Sequence, residues 1–418
     1  MLLVNKCTPG VHKRVTEENM RKLNKTAACG ILAAALAAGT LSGCSKAIDG
    51  TKTVATVGDE KVTLGLASYM VRDQQAQTTS YYNMLMSQYG VSGSASNVWD
   101  QKGDDGKTVG ESSKDGVMTT INQLYVLKAH AADYDVTITE DEEKAIKEAA
   151  AEFIKDNDEK ILKKLAVSED DIVTYLELVT IRSKMHDPMT ADVDTEVSAN
   201  EKDQTRVTIV KVSTEGTEKD DDGNTIDLTD EEKAQKKDLA QQVLDKVKAS
   251  DDVANADMDA LAKEVDDSLS ATAPAFTTAG DTDDTLDEAV QDAALELKDG
   301  EVADKVIEGD DGYYVVRLDK MLDEDATENK EKTVISERKS DLYDSTLEDW
   351  VKEEKIKVKD KVWDQITVTD SASFVYKSAD SSDDTESSDA QDSTEDTSSQ
   401  DNSEDTTTED TAAEDSAE

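Results

Sequence analysis

Apolar positions along this chain recur at two periods, and the places where the period changes mark the elements. After a polar stretch ending at Lys52, the segments Val54-Ala55-Thr56-Val57 and Glu60-Lys61-Val62-Thr63 flank Gly58-Asp59 and predict a small hairpin, with a helix starting near Leu64. A second helix is predicted from about Gly116 to His130, with Val117, Ile121, Leu124 and Tyr125 on one face; Ser92 to Ser113, rich in Gly, Ser and Asp, reads as a loop or insertion. Thr139 with Glu142, Ser198 with Glu201 and Thr229 with Glu232 have the spacing of capping boxes, and Ser168 with Asp171 is a shorter version. The Thr229 box opens a helix whose Leu239, Val243, Leu244 and Val247 share a face, and Leu286, Ala289, Val290, Ala293, Ala294 and Leu297 repeat that period. A strand from Arg206 to Ser213 precedes these helices. Val302 to Ile307, the turn Asp310-Asp311-Gly312 and a last strand from Tyr313 to Leu318 follow them, so this stretch predicts one α+β domain.

The two ends of the chain are built differently. From Met20, the basic Arg21, Lys22 and Lys25 precede an apolar run from Ala27 to Leu36 that is too short to span a bilayer, and residues 20–43 read as a signal segment. Small residues then lead to Leu41-Ser42-Gly43-Cys44, which resembles the lipobox of bacterial lipoproteins. That resemblance implies lipid attachment at Cys44, with the following chain on the extracytoplasmic face of the cell membrane; a buried free cysteine is the alternative. Residues 1–19 lie upstream of this start. Of three cysteines, Cys7 and Cys29 precede the cleavage point, which leaves no disulfide and no thiolate metal site. After Lys377 there is no Lys, Arg or aromatic residue, so 378–418 reads as a disordered acidic tail that cannot bury enough apolar surface to order itself. A solvated tail is the simpler reading and a collector of divalent cations the other. The net charge of -49 makes nucleic acid an unsuitable partner and leaves membrane anchoring to the acyl chains.

Residues 206–319 resemble a parvulin-type peptidyl-prolyl isomerase domain, most clearly in Ala294-Leu295-Glu296-Leu297-Lys298-Asp299-Gly300-Glu301-Val302 and in Gly312-Tyr313-Tyr314-Val315-Val316-Arg317-Leu318. The flanks, Val54 to Val62 with the helices after it and Leu347 to Val358, resemble parts of PrsA-like and SurA-like exported foldases. The resemblance implies a mostly helical chaperone module made from both flanks (53–200 and 325–376, after a linker at 45–52) with the isomerase domain (204–320) inserted between them. It implies no cofactor, and unfolded or partly folded exported proteins as partners. Active members carry a histidine in the first strand and another in the last, facing across a groove. The matching positions here are Thr208 and Tyr314, and the only histidines are His12, His130 and His186, so both are missing. The apolar substrate pocket of the family corresponds to Leu286 and Val290. A groove with Thr208, Tyr313 and Tyr314 on its floor is therefore expected to bind extended polypeptide; strand packing is the plain alternative for the tyrosines.

Other constellations carry less. Asp220-Asp221-Asp222-Gly223-Asn224 lacks the outer ligands of a calcium loop and reads as a solvated turn. His130 and His186 sit near helix ends without metal-ligand neighbours. Tyr81, Tyr82, Met84, Met86 and Tyr89 form an apolar cluster that reads first as core, although adaptable Met and Tyr surfaces also suit a chaperone. The expectation is a foldase or holdase with an isomerase domain of reduced activity. The alternatives are a working histidine-free isomerase and an envelope ligand-binding or structural lipoprotein.

Overall fold

The computed structural model describes residues 36–41, 48–88, 98–216, 225–279 and 286–376. Cys44, the Asp220–Asn224 run, Tyr89 and the tail 378–418 lie outside the described residues, as does the expected signal segment apart from residues 36–41. The class is α+β, as expected.

Strand β1 (Leu36–Leu41) comes first, followed by β2 (Thr53–Val57) and β3 (Glu60–Thr63), which form the predicted hairpin around Gly58 at φ 55. Helix α1 (Leu64–Gln88) starts where expected. Helix α2 (Val109–His130) starts about two turns earlier than predicted. Thr108 and Glu111 form a capping box there, and the predicted loop correspondingly ends at Thr108. Helices α3 (Glu140–Asp156), α4 (Glu159–Leu165), α5 (Glu169–Met189) and α6 (Ala199–Lys202) follow. The boxes Thr139/Glu142, Ser168/Asp171 and Ser198/Glu201 open α3, α5 and α6, each satisfying backbone amides that a helix start otherwise leaves unpaired.

The next stretch holds β4 (Gln204–Ser213), α7 (Asp230–Lys248) with the Thr229/Glu232 box, α8 (Met258–Lys263), β5 (Ala271–Thr272) and β6 (Ala275–Thr277). Helix α9 (Glu288–Leu295), β7 (Ile307–Glu308) and β8 (Gly312–Lys320) complete it. The expected strand from Val302 to Ile307 is shorter than predicted: Val302 makes only an isolated bridge to Arg317, and ladder pairing starts at Ile307. The chain continues as α10 (Glu324–Glu353), β9 (Ile356–Val358), α11 (Asp360–Trp363) and β10 (Ala372–Tyr376).

Three sheets result. Among the described residues one has the order β3-β2-β9, so residues from opposite ends of the chain share it; the second runs β5-β4-β8-β7, with β6 also on β4; the third is β1 with β10. The first core joins both flanks, with Leu64, Tyr69, Ile121, Leu124, Phe153 and Ile172 packed in one cluster with Leu347, Trp363, Ile366 and Phe374. The β4–β8 sheet carries a separate cluster on each face.

Helix α10 connects these regions while burying only Leu347 among its side chains. Partly buried Tyr343, Trp350 and Val351 pack against the first core, and polar contacts fix other points along it. Arg206 pairs with Asp323, Lys202 with Glu331 (2.8 Å), and Arg338 with Glu201 (2.5 Å) while also donating to the Glu196 carbonyl (2.9 Å). Trp350 stacks on His130 with ring centroids 4.1 Å apart, which gives that histidine a packing role.

Candidate functional site

The candidate groove belongs to the β4–β8 pair, which is long and buried on both faces. Side chains alternate along each strand, so the pairing Ile209↔Val316 and Val210↔Val315 sends neighbouring residues to opposite faces. Val207, Ile209, Tyr314, Val316 and Leu318 share one face, where Phe276 from β6 and Val290 and Ala294 from α9 pack on them. Val210, Val212, Tyr313 and Val315 share the other, under Ala240, Val243, Leu244 and Val247 of α7 and Met258 and Ala262 of α8.

This geometry divides the residues that the sequence grouped. Leu286, Val290 and Tyr314 belong to one cluster, with Val290 fully buried and Leu286 partly so. Tyr313 lies on the reverse face, with the Lys237 ammonium 5.4 Å from its ring centre. Thr208 is also on that reverse face, opposite Arg317 in the ladder. Its hydroxyl donates to Asp319 Oδ2 (2.6 Å), and Arg317 Nε donates to the other oxygen of that carboxylate (2.7 Å). Arg317 also donates to the backbone oxygen of Ala256 (2.8 Å), so Thr208 is part of a buried tie between the sheet and the segment before α8. The expected floor of Thr208, Tyr313 and Tyr314 is thus corrected: a one-residue offset in strand register exchanges faces, and the β4 residues that share a face with Tyr314 are Val207, Ile209 and Lys211, with Lys211 directly opposite it.

One edge of the Ile209–Tyr314 face is polar. The Tyr314 hydroxyl donates to Asp311 Oδ1, and Lys211 donates to Asp311 Oδ2 (2.5 Å). Burial opposes ionisation of Asp311, but the hydrogen bonds from Lys211 and Tyr314 outweigh it and hold the carboxyl below its ordinary range. Burial, reinforced by the bond to Asp311, pushes the Tyr314 phenol well up, so it stays a neutral donor. Next to this trio, Asp287 caps α9 through the Ala289 amide (2.9 Å) and accepts from the Asp310 amide (2.7 Å). At Gly309 a Cβ would stand 2.4 Å from Asp287 Oδ2, so any larger residue displaces that carboxylate.

A second concave feature, about 510 Å³, lies between Gly58–Glu60, Tyr125, Lys128 and Glu353–Lys355. The Lys128–Glu60 ion pair (3.4 Å) lies in its charged lining, so it offers an extended apolar segment little grip.

The apolar cluster at the end of α1 differs from the expectation of core. The last buried residue of that helix is Thr79; beyond it Tyr81 is 50% exposed, Met84 60% and Met86 36%. Sequence reasoning did not single out Ile209, Phe276, Lys211 or Asp311. The alternating Val207/Ile209 and Val210/Val212 pairs were the available signal for two buried faces.

Residues 218–332 match the PPIC-type PPIase domain family. Among solved structures, the chain is similar to the foldase protein PrsA from Lactococcus lactis at 15% identity, covering 75% of this chain and 96% of that one, with a TM-score of 0.29. It is similar to the peptidylprolyl isomerase PrsA from Bacillus cereus at 17% identity, with 75% and 96% covered and a TM-score of 0.28. A further similar structure is that of the SurA-like chaperones PEB4 and Cj1289 of Campylobacter jejuni, at 10% identity with 73% and 99% covered and a TM-score of 0.24. At this identity and superposition, these likenesses carry no statement about activity. No curated protein sequence matches.

Proposed function

We propose that this chain, which carries a PPIC-type isomerase domain, is a foldase of the cell envelope that holds unfolded exported proteins. In this reading the isomerase domain has lost much of its catalytic power. The observation that carries the reading is the exposed apolar end of α1, Tyr81, Met84 and Met86, whereas Ile209 and Tyr314 are packed as core under Phe276 and Val290. No histidine occurs anywhere in 206–319.

Prolyl isomerisation needs no nucleophile and no cofactor. It needs a site that twists the peptide bond and weakens the conjugation behind its barrier of about 18–20 kcal/mol. The Ile209–Tyr314 face is filled by its own core side chains, which have no hydrogen bond to donate to a bound segment away from the polar edge. What remains is apolar contact, which favours holding over turnover. The exposed Tyr81, Met84 and Met86 supply the adaptable apolar surface. Clients are covered transiently, the net charge of -49 keeps loaded molecules apart, and release follows as the client folds.

The finer parts of the proposal rest on sequence. The anchor is lipid at Cys44, supported by the basic, apolar and small-residue run before it. Among the described residues no helix is long and apolar enough to cross a membrane. The flanks 53–200 and 325–376 act as one client-holding module around the 204–320 domain, a division supported by the core they share. Titrating the purified chain into an aggregating unfolded protein tests the reading: suppression is expected near equimolar amounts. A chain that neither delays aggregation nor binds the unfolded protein would sink it. A second reading, a working isomerase, is favoured by one observation, the Lys211–Asp311–Tyr314 set at the edge of the same face, which has donors that a twisted peptide carbonyl can use.

A further inference from the structure

Strand β10 lies between helix α1 and strand β1. On its inner side, Gln75 donates to the Ala372 carbonyl (3.1 Å), the Arg72 guanidinium lies 4.9 Å from the centre of the buried Phe374 ring, and the Tyr376 hydroxyl donates to Asp73 (3.1 Å). Helix α1 therefore fixes this strand without help from β1. Its other edge pairs antiparallel with β1, Leu36 lying opposite Tyr376, Ala37 opposite Val375 and Ala38 opposite Phe374.

The first residue of β1 is built into the core. Leu36 is fully buried, and its amide donates to Asn157 Oδ1 (3.0 Å). Asn157 is itself only 5% exposed, and its amide donates to the Phe153 carbonyl (2.8 Å), which aims the oxygen at the incoming strand. Cleavage before Cys44 removes residues 36–41. Three complementary gaps then adjoin one another: a pocket of leucine size, a buried acceptor without a donor, and an unpaired strand edge. Each is unfavourable when left empty, and all three are refilled together only by another extended chain that carries an apolar side chain next to a free N–H.

We propose that the β10 edge with the Leu36 pocket and Asn157 is a strand-addition site for extended apolar segments of unfolded client chains, which the chain's own leader strand occupies until it is released. The proposal rests on the foldase reading and on cleavage before Cys44. Until cleavage the tethered strand competes at a high effective concentration, so the unprocessed chain is closed to clients at this site.

The test uses the full chain with a specific protease site in place of Ser42-Gly43, purified folded and then cut or left intact. The probe is a fluorescein-labelled peptide of residues 33–42, read by anisotropy. The cut chain is expected to bind the probe saturably, and the intact chain at least about tenfold more weakly. A probe carrying L36D is expected to lose at least about tenfold on the cut chain, and V375P in β10, which removes a ladder amide, to abolish binding while the thermal midpoint stays within a few degrees. If the cut chain fails to bind the probe yet still suppresses aggregation, the strand site is overturned and the foldase reading survives. Equal binding of the normal and L36D probes also overturns it, since the pocket then selects nothing. Mass spectrometry of the chain recovered from bacterial envelopes reads processing separately, and an intact leader there overturns the release step.

Discussion

Replacing Tyr81 and Met84 by serine separates client holding from fold stability. Both lie beyond the last buried residue of α1, at 50% and 60% exposure, so the folded chain gains little from them and their loss should change stability by no more than about 0.5 kcal/mol. A bound client, by contrast, covers them. Full burial of such a side chain is worth about 1.5–3 kcal/mol, and roughly half of each remains to be covered, so the pair contributes about 1.5–3 kcal/mol to holding a client. At about 1.4 kcal/mol per decade, the double variant should bind an unfolded polypeptide about 12- to 140-fold more weakly. The assay is anisotropy of a labelled, permanently unfolded chain, with urea unfolding of the variant in parallel. An unchanged affinity at unchanged stability would refute the assignment of this helix end to client contact. A large fall in stability would refute the claim that these residues stand outside the core.

Other perturbations test the parts that position the site. Leu347→Ala removes the one fully buried side chain of α10 and should cost about 2–4 kcal/mol in urea unfolding; less than about 1 kcal/mol would mean that Tyr343, Trp350, Val351 and the ion pairs hold this helix without it. Gly309→Ala pushes a methyl group against the carboxylate that caps α9 and should cost about 1 kcal/mol or more, whereas a neutral result would show that Asp287 moves freely. Glu201 is held down to about 2 by hydrogen bonds from the Ser198 side chain and backbone and then from Arg338. Its folded pKa lies below the unfolded one, so its contribution is present above about pH 4.5 and is lost as pH falls toward 2. Comparing wild type with Glu201→Gln from pH 6 to pH 2 should show a stability gap that closes with acid; a gap that widens would reverse the sign of the argument.

Local signals were the legible part of the fold. The hairpin around Gly58 and the boxes at Thr139, Ser168, Ser198 and Thr229 lie where the sequence placed them, because each needs only residues a few positions apart. The Thr108/Glu111 box was hidden in a stretch whose Gly, Ser and Asp content reads as loop. Strands β5 and β6 are two and three residues long on either side of Pro274, too short to show a period. The pairing of β1 with β10 joins residues more than 330 positions apart, beyond any local pattern.

The site was half legible for a related reason. Val290, Leu286 and Tyr314 share one face of the sheet, whereas Thr208 lies on the other with Tyr313. Both faces of β4 are buried, so its apolar run gives no in/out alternation, and without a histidine nothing anchors the register. The exposed end of α1 failed differently. Tyrosine and methionine read as core by composition, and a sequence does not say where the partner elements of a helix stop.

The most direct measurement is the refolding of a protein limited by a slow proline step, followed by fluorescence, with the purified chain added from one-hundredth to one equivalent. The account predicts no acceleration at substoichiometric amounts, and aggregation suppressed only as the ratio nears one. Acceleration at one-hundredth equivalent, abolished by Tyr314→Phe, would contradict it and make the Lys211–Asp311–Tyr314 edge a catalytic site.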